Sequence, residues 1–421
     1  MERLKNNKWF LAILIGMAGG LSFELAYLKY NYQPAMEVLM GLSSTEVGVL
    51  MSTYGFWAMI LYGPSGIIAD KFNNKFLIVS CMILTGMLGF VMALYPPYPV
   101  LLAIQVLFAL TTVLFMWSAT IKSVSILGSS EEQGALLGLS EGARGIGCLI
   151  AAMLALFIFN QSGAENNPNS LRFVLISYGV TMIILGVLCG IFLKNDEKKS
   201  KDAIEKNPDD KFTMKDVIYV LKLKTTWLCS LIILGVYIVY ACLSYTSSYV
   251  IDIFGASMSM GILIGTIRNQ VMRSLSPPIA GWVTQKTPLK SPTKILFIVG
   301  IINCIALLIL VFGPNEASAF MPMLIVILTS AMCVYISRGM YWATVGEVNT
   351  PKKIVGTTVG VASVIGFLPD AFIYVIIGNW QDTLPPQQAY DNMWMMSVAG
   401  TILTVIASFL LLKEIKKITS K

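Results

Sequence analysis

Nine ionisable side chains interrupt stretches of sequence that are otherwise apolar. They are Glu24, Lys29, Lys122, Glu141, Arg144, Arg268, Arg273, Arg338 and Asp370. A charged group is expensive to place in hydrocarbon, so such residues usually face a polar cavity or a partner and mark binding or ion pathways. Six of the nine are cations and three are carboxylates. This excess favours recognition of an anion, because a cationic cavity repels cationic molecules.

The cations suit different parts of an anion site. Arginine presents a planar fork of N–H donors that matches a carboxylate or phosphate, and lysine supplies a point charge. Lys122 and Arg338 have no acidic residue within four positions, and we predict that this pair clasps the anion. Arg144 and Arg268 are further candidates for substrate binding. Glu141 lies three residues before Arg144, on the same helical face, so an ion pair that only orients this helix is the alternative for Arg144.

Two carboxylates are candidates for coupling. The chain contains no histidine, so a coupling proton would have to be carried by a carboxylate. We predict Glu24 or Asp370 for this role and favour Glu24, which lies deeper within its span. Asp370 follows a proline in "GFLPDAF" (366–372), where a helix break frees carbonyl oxygens that could bind sodium. The alternative is that both acids only neutralise nearby cations.

Other residue types offer little chemistry. Aromatic side chains inside the apolar runs are mostly typical of packing, although Tyr54 and Tyr240 are candidates for lining a cavity. The seven cysteines form no C-x-x-C pair and are read as small core residues. We therefore predict no metal, no cofactor and no enzymatic activity, and the sequence also lacks a P-loop motif for energisation by nucleotides.

The elements that carry these residues are predicted to be membrane-spanning helices. The chain has 421 residues, of which 56% are apolar and 13% charged, and its mean hydropathy is +0.73. A helix needs about 20 apolar residues to cross about 30 Å of hydrocarbon. Runs of this kind predict an all-α membrane protein with twelve spans, at 9–31, 45–69, 76–94, 99–125, 132–160, 171–193, 226–251, 257–283, 293–313, 318–346, 354–377 and 390–412.

A charged segment divides the spans into two sets of six. We predict an N-terminal half at 1–193, a cytoplasmic linker at 194–224 and a C-terminal half at 225–421. Placing the N-terminus in the cytoplasm puts 23 of the 30 lysine and arginine residues in cytoplasmic segments. Both termini are therefore predicted to be cytoplasmic.

A short repeat relates the two halves. "PSGIIADKFNNK" (64–75) and "IAGWVTQKTPLK" (279–290) follow the second span of each half and share one glycine and two cations at an offset of 215 residues. The matching positions are Gly66 with Gly281, Lys71 with Lys286 and Lys75 with Lys290. Parallel six-span repeats are typical of transporters that bind their substrate between the halves.

The first copy of this repeat carries a family resemblance. Gly66, Asp70, Lys71 and Lys75 match the loop signature of the major facilitator superfamily, roughly Gly-x-x-x-Asp-Arg/Lys-x-x-x-Arg/Lys. With twelve spans and a central basic loop, the whole chain resembles this superfamily. The resemblance implies two pseudo-symmetric six-helix halves, a central cavity, and a gating role for these four residues as a cytoplasmic latch. Asp70 would there meet the positive end of a helix, whereas Lys71 and Lys75 could serve only as orientation anchors.

A looser resemblance concerns the branch of the superfamily. Span five lacks the proline of the drug-antiporter signature, and "WSATIKSVSILGSSEEQGALLG" (117–138) resembles organic-anion, nitrate and organophosphate porters. We expect a monomeric plasma-membrane transporter, of the bacterial inner-membrane type, that moves a small organic anion by alternating access. Its expected partners are a proton, as in a symporter, or a counter-ion, together with the lipid bilayer and no nucleic acid. The alternatives are a proton-driven exporter of amphipathic compounds and a nutrient sensor that transports nothing.

Overall fold

The computed structural model describes residues 4, 6–129, 132–194, 214–286, 291–348, 350 and 352–419. Residues 195–213 of the predicted linker and Lys290 of the repeat lie outside this range. For 281–286 only the backbone is described, not the side chains. The described residues run through twelve helical spans, which confirms the predicted all-α membrane fold. Eight of these helices are at least 18 residues long and apolar enough to cross a membrane by themselves. The other spans are less apolar or are divided into shorter helices.

Spans one to six contain two interrupted helices and four continuous ones. Their bounds are Lys8–Leu21 and Lys29–Met40 (span one), Ser44–Lys71 (two), Asn74–Ala93 (three), Tyr98–Ala109, Leu110–Trp117 and Ser118–Ser125 (four), Gln133–Gln161 (five) and Ser170–Phe192 (six). The middle segment of span four is a π-helix. A short 3₁₀ turn at Ala164–Asn166 separates spans five and six.

Spans seven to twelve are interrupted more often. Their bounds are Lys224–Leu243 and Thr246–Phe254 (span seven), Met258–Thr266, Ile267–Met272 and Arg273–Lys286 (eight), Pro292–Phe312 (nine), Phe320–Met340 and Ala343–Glu347 (ten), Lys352–Gly366, Leu368–Ala371 and Ile373–Thr383 (eleven) and Pro386–Thr419 (twelve). A helix at Met214–Lys222 precedes span seven, and a 3₁₀ turn at Ala317–Ala319 precedes span ten.

The turns that enter spans two and eight are built alike. Gly41 and Gly255 each end the preceding helix with a positive φ, at 68° and 67°, a conformation that glycine adopts without steric cost. Two residues later, the hydroxyls of Ser43 and Ser257 cap the next helix by accepting a backbone N–H. This second repeat has an offset of 214 residues and was not predicted from the sequence.

The described chain forms two compact units. One lies within Met1–Lys199 and Ala256–Val271, and the other within Ser200–Gly255 and Met272–Lys421. Ala256–Val271 belongs to the C-terminal half of the sequence, but it packs against the second helix of span one and against span five. The predicted division at 194–224 stays a prediction about chain organisation.

Interruptions of the helices coincide with candidate site residues. Glu24 lies in the turn that separates the two helices of span one, and Arg268 lies in the π-helical part of span eight. Asp370 lies in the 3₁₀ segment of span eleven, directly after Pro369. Such irregular turns are frequent at functional sites, because they free backbone groups and redirect side chains.

Candidate substrate and coupling sites

Arg338 lies in the last turn of the first helix of span ten, and its guanidinium contacts aromatic rings. The guanidinium carbon lies 3.8 Å from the ring centre of Tyr240 and 5.3 Å from that of Tyr237. Arg338 Nη1 is buried and has no hydrogen-bond partner among the described residues. The ring faces stabilise the cation, and the N–H donors of Nη1 remain for an anion.

Asp370 lies in the same compact unit and is 8% exposed. Its Oδ2 accepts a hydrogen bond of 2.9 Å from the Tyr237 hydroxyl, and its Oδ1 accepts one of 2.9 Å from the Tyr374 hydroxyl. Arg338 is near enough to act on Asp370 electrostatically, but no direct ion pair joins these two described residues. Asp370 is therefore held by neutral donors, and a proton can be added to it without breaking a salt bridge.

Further aromatic rings pack next to these residues. Phe367 lies 4.8 Å from the Tyr237 ring and 6.2 Å from the Trp342 ring. On the other side, the rings of Tyr240 and Tyr335 are 6.0 Å apart. We call Tyr237, Tyr240, Arg338, Asp370 and Tyr374 the Arg338 cluster.

A second polar cluster lies in the other compact unit. Gln270 Nε2 donates a hydrogen bond of 2.7 Å to Glu24, which connects the π-helical part of span eight to the turn in span one. Arg268 is 0% exposed, and its guanidinium lies 5.7 Å from the ring centre of Tyr30. Among the described residues, its Nε and Nη1 have no hydrogen-bond partner. A buried guanidinium of this kind is costly to leave unneutralised.

Arg144 is positioned by rings and by its own helix. Its guanidinium lies 5.6 Å from the Phe23 ring and 5.7 Å from the Trp117 ring. The predicted pairing with Glu141 is confirmed, at 3.5 Å, although the Glu141 side chain is largely exposed. Exposed pairs of this kind contribute little to stability.

The structure places Lys122 against Asp70. Its Nζ lies 2.9 Å from the Asp70 carboxylate and donates a hydrogen bond of 2.7 Å to the carbonyl of Ala69. In the conformation described, the ammonium is occupied by this contact, and the clasping of an anion by Lys122 and Arg338 stays a prediction. Asp70 therefore contacts a lysine in this conformation, and its role as a latch at a helix end stays a prediction.

The remaining predicted residues lie in two kinds of surroundings. Tyr54 is fully buried, and its hydroxyl shares a hydrogen bond of 3.0 Å with Thr112. Lys71 is exposed and Lys75 half-buried at the ends of spans two and three. A Cβ added at Gly66 would meet no described atom within 4 Å. The gating and binding roles of these residues stay predictions.

Comparison with known proteins decides the family. The sequence profile of the Major Facilitator Superfamily matches residues 9–373, most of the chain. The chain belongs to the Major Facilitator Superfamily. This confirms the resemblance noted in the sequence and identifies a membrane transporter rather than an enzyme.

Two curated relatives in this superfamily cover nearly the whole chain. The inner membrane protein YqcE of Escherichia coli K12 is 43% identical over 99% of this chain and 97% of its own length. The inner membrane protein YihN of the same strain is 27% identical over 98% of this chain and 97% of its own.

Solved superfamily structures share the fold at low sequence identity. A bacterial homologue of the human lysosomal transporter Spinster, in an inward-facing, unoccupied conformation, aligns with a TM-score of 0.73 at 15% identity, over 100% of this chain and 98% of its own. A mutant of the nucleoside transporter NupG aligns with a TM-score of 0.74 at 12% identity, over 96% of this chain and 100% of its own.

Sequence analysis missed two members of the Arg338 cluster. Tyr237 and Tyr374 supply both hydrogen bonds to Asp370. Their spacing carried a signal, because Tyr237 precedes Tyr240 by three residues and Tyr374 follows Asp370 by four, so each pair shares a helical face. Gln270 was also missed, since a neutral amide does not stand out among charged candidates.

Proposed function

We propose that the protein carries a small organic anion across the inner membrane by alternating access, with a proton or in exchange for a second anion. The observation that carries this proposal is Arg338, whose guanidinium lies against the rings of Tyr237 and Tyr240 and has a buried N–H donor unused by the described residues. A carboxylate or phosphate group supplies the missing acceptors and charge. Arg268 and Arg144 add positive charge within the other compact unit.

The location follows from the relatives and the sequence. YqcE and YihN are both named inner membrane proteins. The excess of lysine and arginine in the loops predicted to be cytoplasmic supports cytoplasmic termini. We propose the same membrane and orientation here.

A second candidate is a proton-driven exporter of amphipathic compounds. It is favoured by the aromatic rings of the cluster and its neighbours, Tyr237, Tyr240, Phe367 and Trp342, because flat apolar molecules stack on such rings. The nucleoside transport named for NupG adds a neutral, ring-bearing solute to the substrates worth testing. The positive charge of Arg338 favours the anion over both.

Counterflow in proteoliposomes tests these candidates directly. The panel comprises gluconate, glucuronate, lactate, glycerol 3-phosphate, inorganic phosphate, uridine and the cationic dye rhodamine 6G. We expect exchange of at least one organic anion and loss of that exchange in Arg338→Gln. Exchange of rhodamine 6G or uridine with no anion would overturn the proposal.

A matched control is available at Arg172. This arginine also stacks on a tyrosine ring, 4.5 Å from that of Tyr95, but it lies at the start of span six. Arg172→Gln removes the same charge from a similar contact. Equal loss of exchange in both variants would mean that Arg338 acts through general electrostatics and not through binding.

A further inference from the structure

Tyr237 is in contact with both charged members of the Arg338 cluster. Its hydroxyl donates to Asp370 at 2.9 Å, and its ring faces the Arg338 guanidinium at 5.3 Å. The three residues lie on spans seven, eleven and ten, within one compact unit. We propose that Tyr237 links proton binding at Asp370 to anion binding at Arg338, which makes the transporter an anion–proton symporter. This inference rests on the proposed function.

The sign of the linkage follows from charge. When Asp370 is ionised, its negative charge lies near Arg338 and competes with an incoming anion. One proton taken from solution onto Asp370 removes that charge and leaves the guanidinium to the substrate. Because linkage between two sites is reciprocal, the bound anion raises the proton affinity of Asp370 by the same factor.

Tyr237 transmits this change through its hydroxyl. An ionised carboxylate only accepts hydrogen bonds, whereas a protonated one carries an O–H donor. Protonation at Oδ2 reverses the bond to Tyr237, whose own O–H must then turn to another acceptor. An anion bound at Arg338 lies beside this phenol and can supply that acceptor.

The groups that face Asp370 support a local linkage. Tyr237 faces it from span seven and Tyr374 from its own span. Arg338 of span ten acts on it electrostatically, and the charge of Asp370 in turn acts on Tyr341 of the same span. Arg338 is the one cation among these described neighbours, so the charge on Asp370 acts mainly on the anion site.

Phenylalanine variants separate this role from simple packing. Tyr237→Phe keeps the ring on Arg338 and removes the hydroxyl from Asp370. Tyr374→Phe removes the other hydroxyl from the same carboxylate. It serves as the matched control, because the centre of the Tyr374 ring lies 6.5 Å from that of the Tyr245 ring. Asp370→Asn imitates the protonated state.

The measurement is the dissociation constant of the purified full chain for gluconate, or for the panel anion that exchanges fastest, between pH 5 and 9. With one linked proton, we expect the wild-type dissociation constant to rise about tenfold per pH unit in the pH range where Asp370 of the unoccupied protein has lost its proton. In Tyr237→Phe the part of the linkage carried by the hydroxyl is lost and the direct charge effect remains, so the dependence should fall to about threefold per unit. Tyr374→Phe should keep the tenfold slope, but the slope should begin at a different pH. Asp370→Asn should show no pH dependence of the dissociation constant.

Four outcomes would count against the proposal. A slope in Tyr237→Phe equal to that of the wild type overturns the role of Tyr237, and an equally reduced slope in both phenylalanine variants reduces that role to binding the carboxylate. Wild-type exchange of an anion with no pH dependence overturns the symport while leaving the proposed function intact. No exchange of any panel anion overturns both.

Discussion

The Tyr237 hydroxyl donates a hydrogen bond of 2.9 Å to Oδ2 of Asp370. The two residues lie on spans seven and eleven and are 133 positions apart in sequence. This bond stabilises a carboxylate inside a membrane protein without an ion pair to any residue that the structure describes. A carboxylate in that setting can change its charge during a transport cycle, whereas one that is locked to arginine cannot do so as easily.

Asp370→Asn should separate exchange from accumulation. The amide keeps the size of the side chain but cannot take up a proton, so anion counterflow should persist while uptake driven by a pH gradient falls at least about tenfold, as for loss of one linked proton. Both are measured in proteoliposomes with an imposed gradient. Undiminished accumulation would exclude Asp370 as the coupling residue.

Glu24→Gln tests the competing coupling residue. Glu24 accepts a hydrogen bond from Gln270, and the glutamine variant keeps an oxygen that can accept it. If Asp370 carries the proton, gradient-driven uptake in Glu24→Gln should stay within about threefold of the wild type, because the hydrogen bond from Gln270 is kept. Loss of accumulation in this variant, with Asp370→Asn unaffected, would transfer coupling to Glu24.

Lys122→Gln should affect transport rate rather than affinity. Its ammonium is bound to Asp70 and to the Ala69 carbonyl, so its removal breaks a contact between spans two and four. We expect the anion dissociation constant to change less than about twofold while the transport rate changes several-fold, because the pair biases one conformation. Lys417→Gln, which removes an exposed ion pair with Glu414, is the control. A tenfold weaker affinity in Lys122→Gln would restore this lysine to the binding site.

Gly235→Ala should destabilise the second compact unit. A Cβ at this position would overlap the carbonyl oxygen of Gly400, where spans seven and twelve cross. Overpacking of this kind costs about 1–3 kcal/mol. Gly66→Ala meets no described atom within 4 Å and should leave the unfolding temperature unchanged. Thermal unfolding in detergent compares the two, and equal effects would contradict the close crossing.

The ion pair between Lys8 and Glu132 predicts a small pH effect on stability. The hydrogen bond from Lys8 holds the pKa of Glu132 below its usual value of 4.5. A carboxyl whose folded-state pKa is lowered stabilises the fold above the unfolded-state pKa, and this stabilisation is lost as pH falls through the folded-state value. Glu132→Gln should therefore unfold at a slightly lower temperature than the wild type at pH 7. The difference should shrink below about pH 4.5; a constant difference would point to packing instead of charge.

Much of the architecture could be predicted from the sequence. Hydropathy is a local property, and a bilayer requires each apolar run to satisfy its own backbone as a helix, so the twelve spans followed from composition and length. The cost of burying charge likewise singled out Arg338, Asp370, Glu24 and Arg268. The repeat around Gly66 indicated the superfamily.

Tertiary structure decided which of these residues act together. Lys122 turned out to contact Asp70, and Arg338 to stack on Tyr237 and Tyr240. These contacts depend on how helices far apart in sequence pack and on where their turns become irregular, neither of which is encoded in a single run of residues. Tyr237 looked like one of many packing aromatics until the fold placed its hydroxyl on Asp370 and its ring on Arg338.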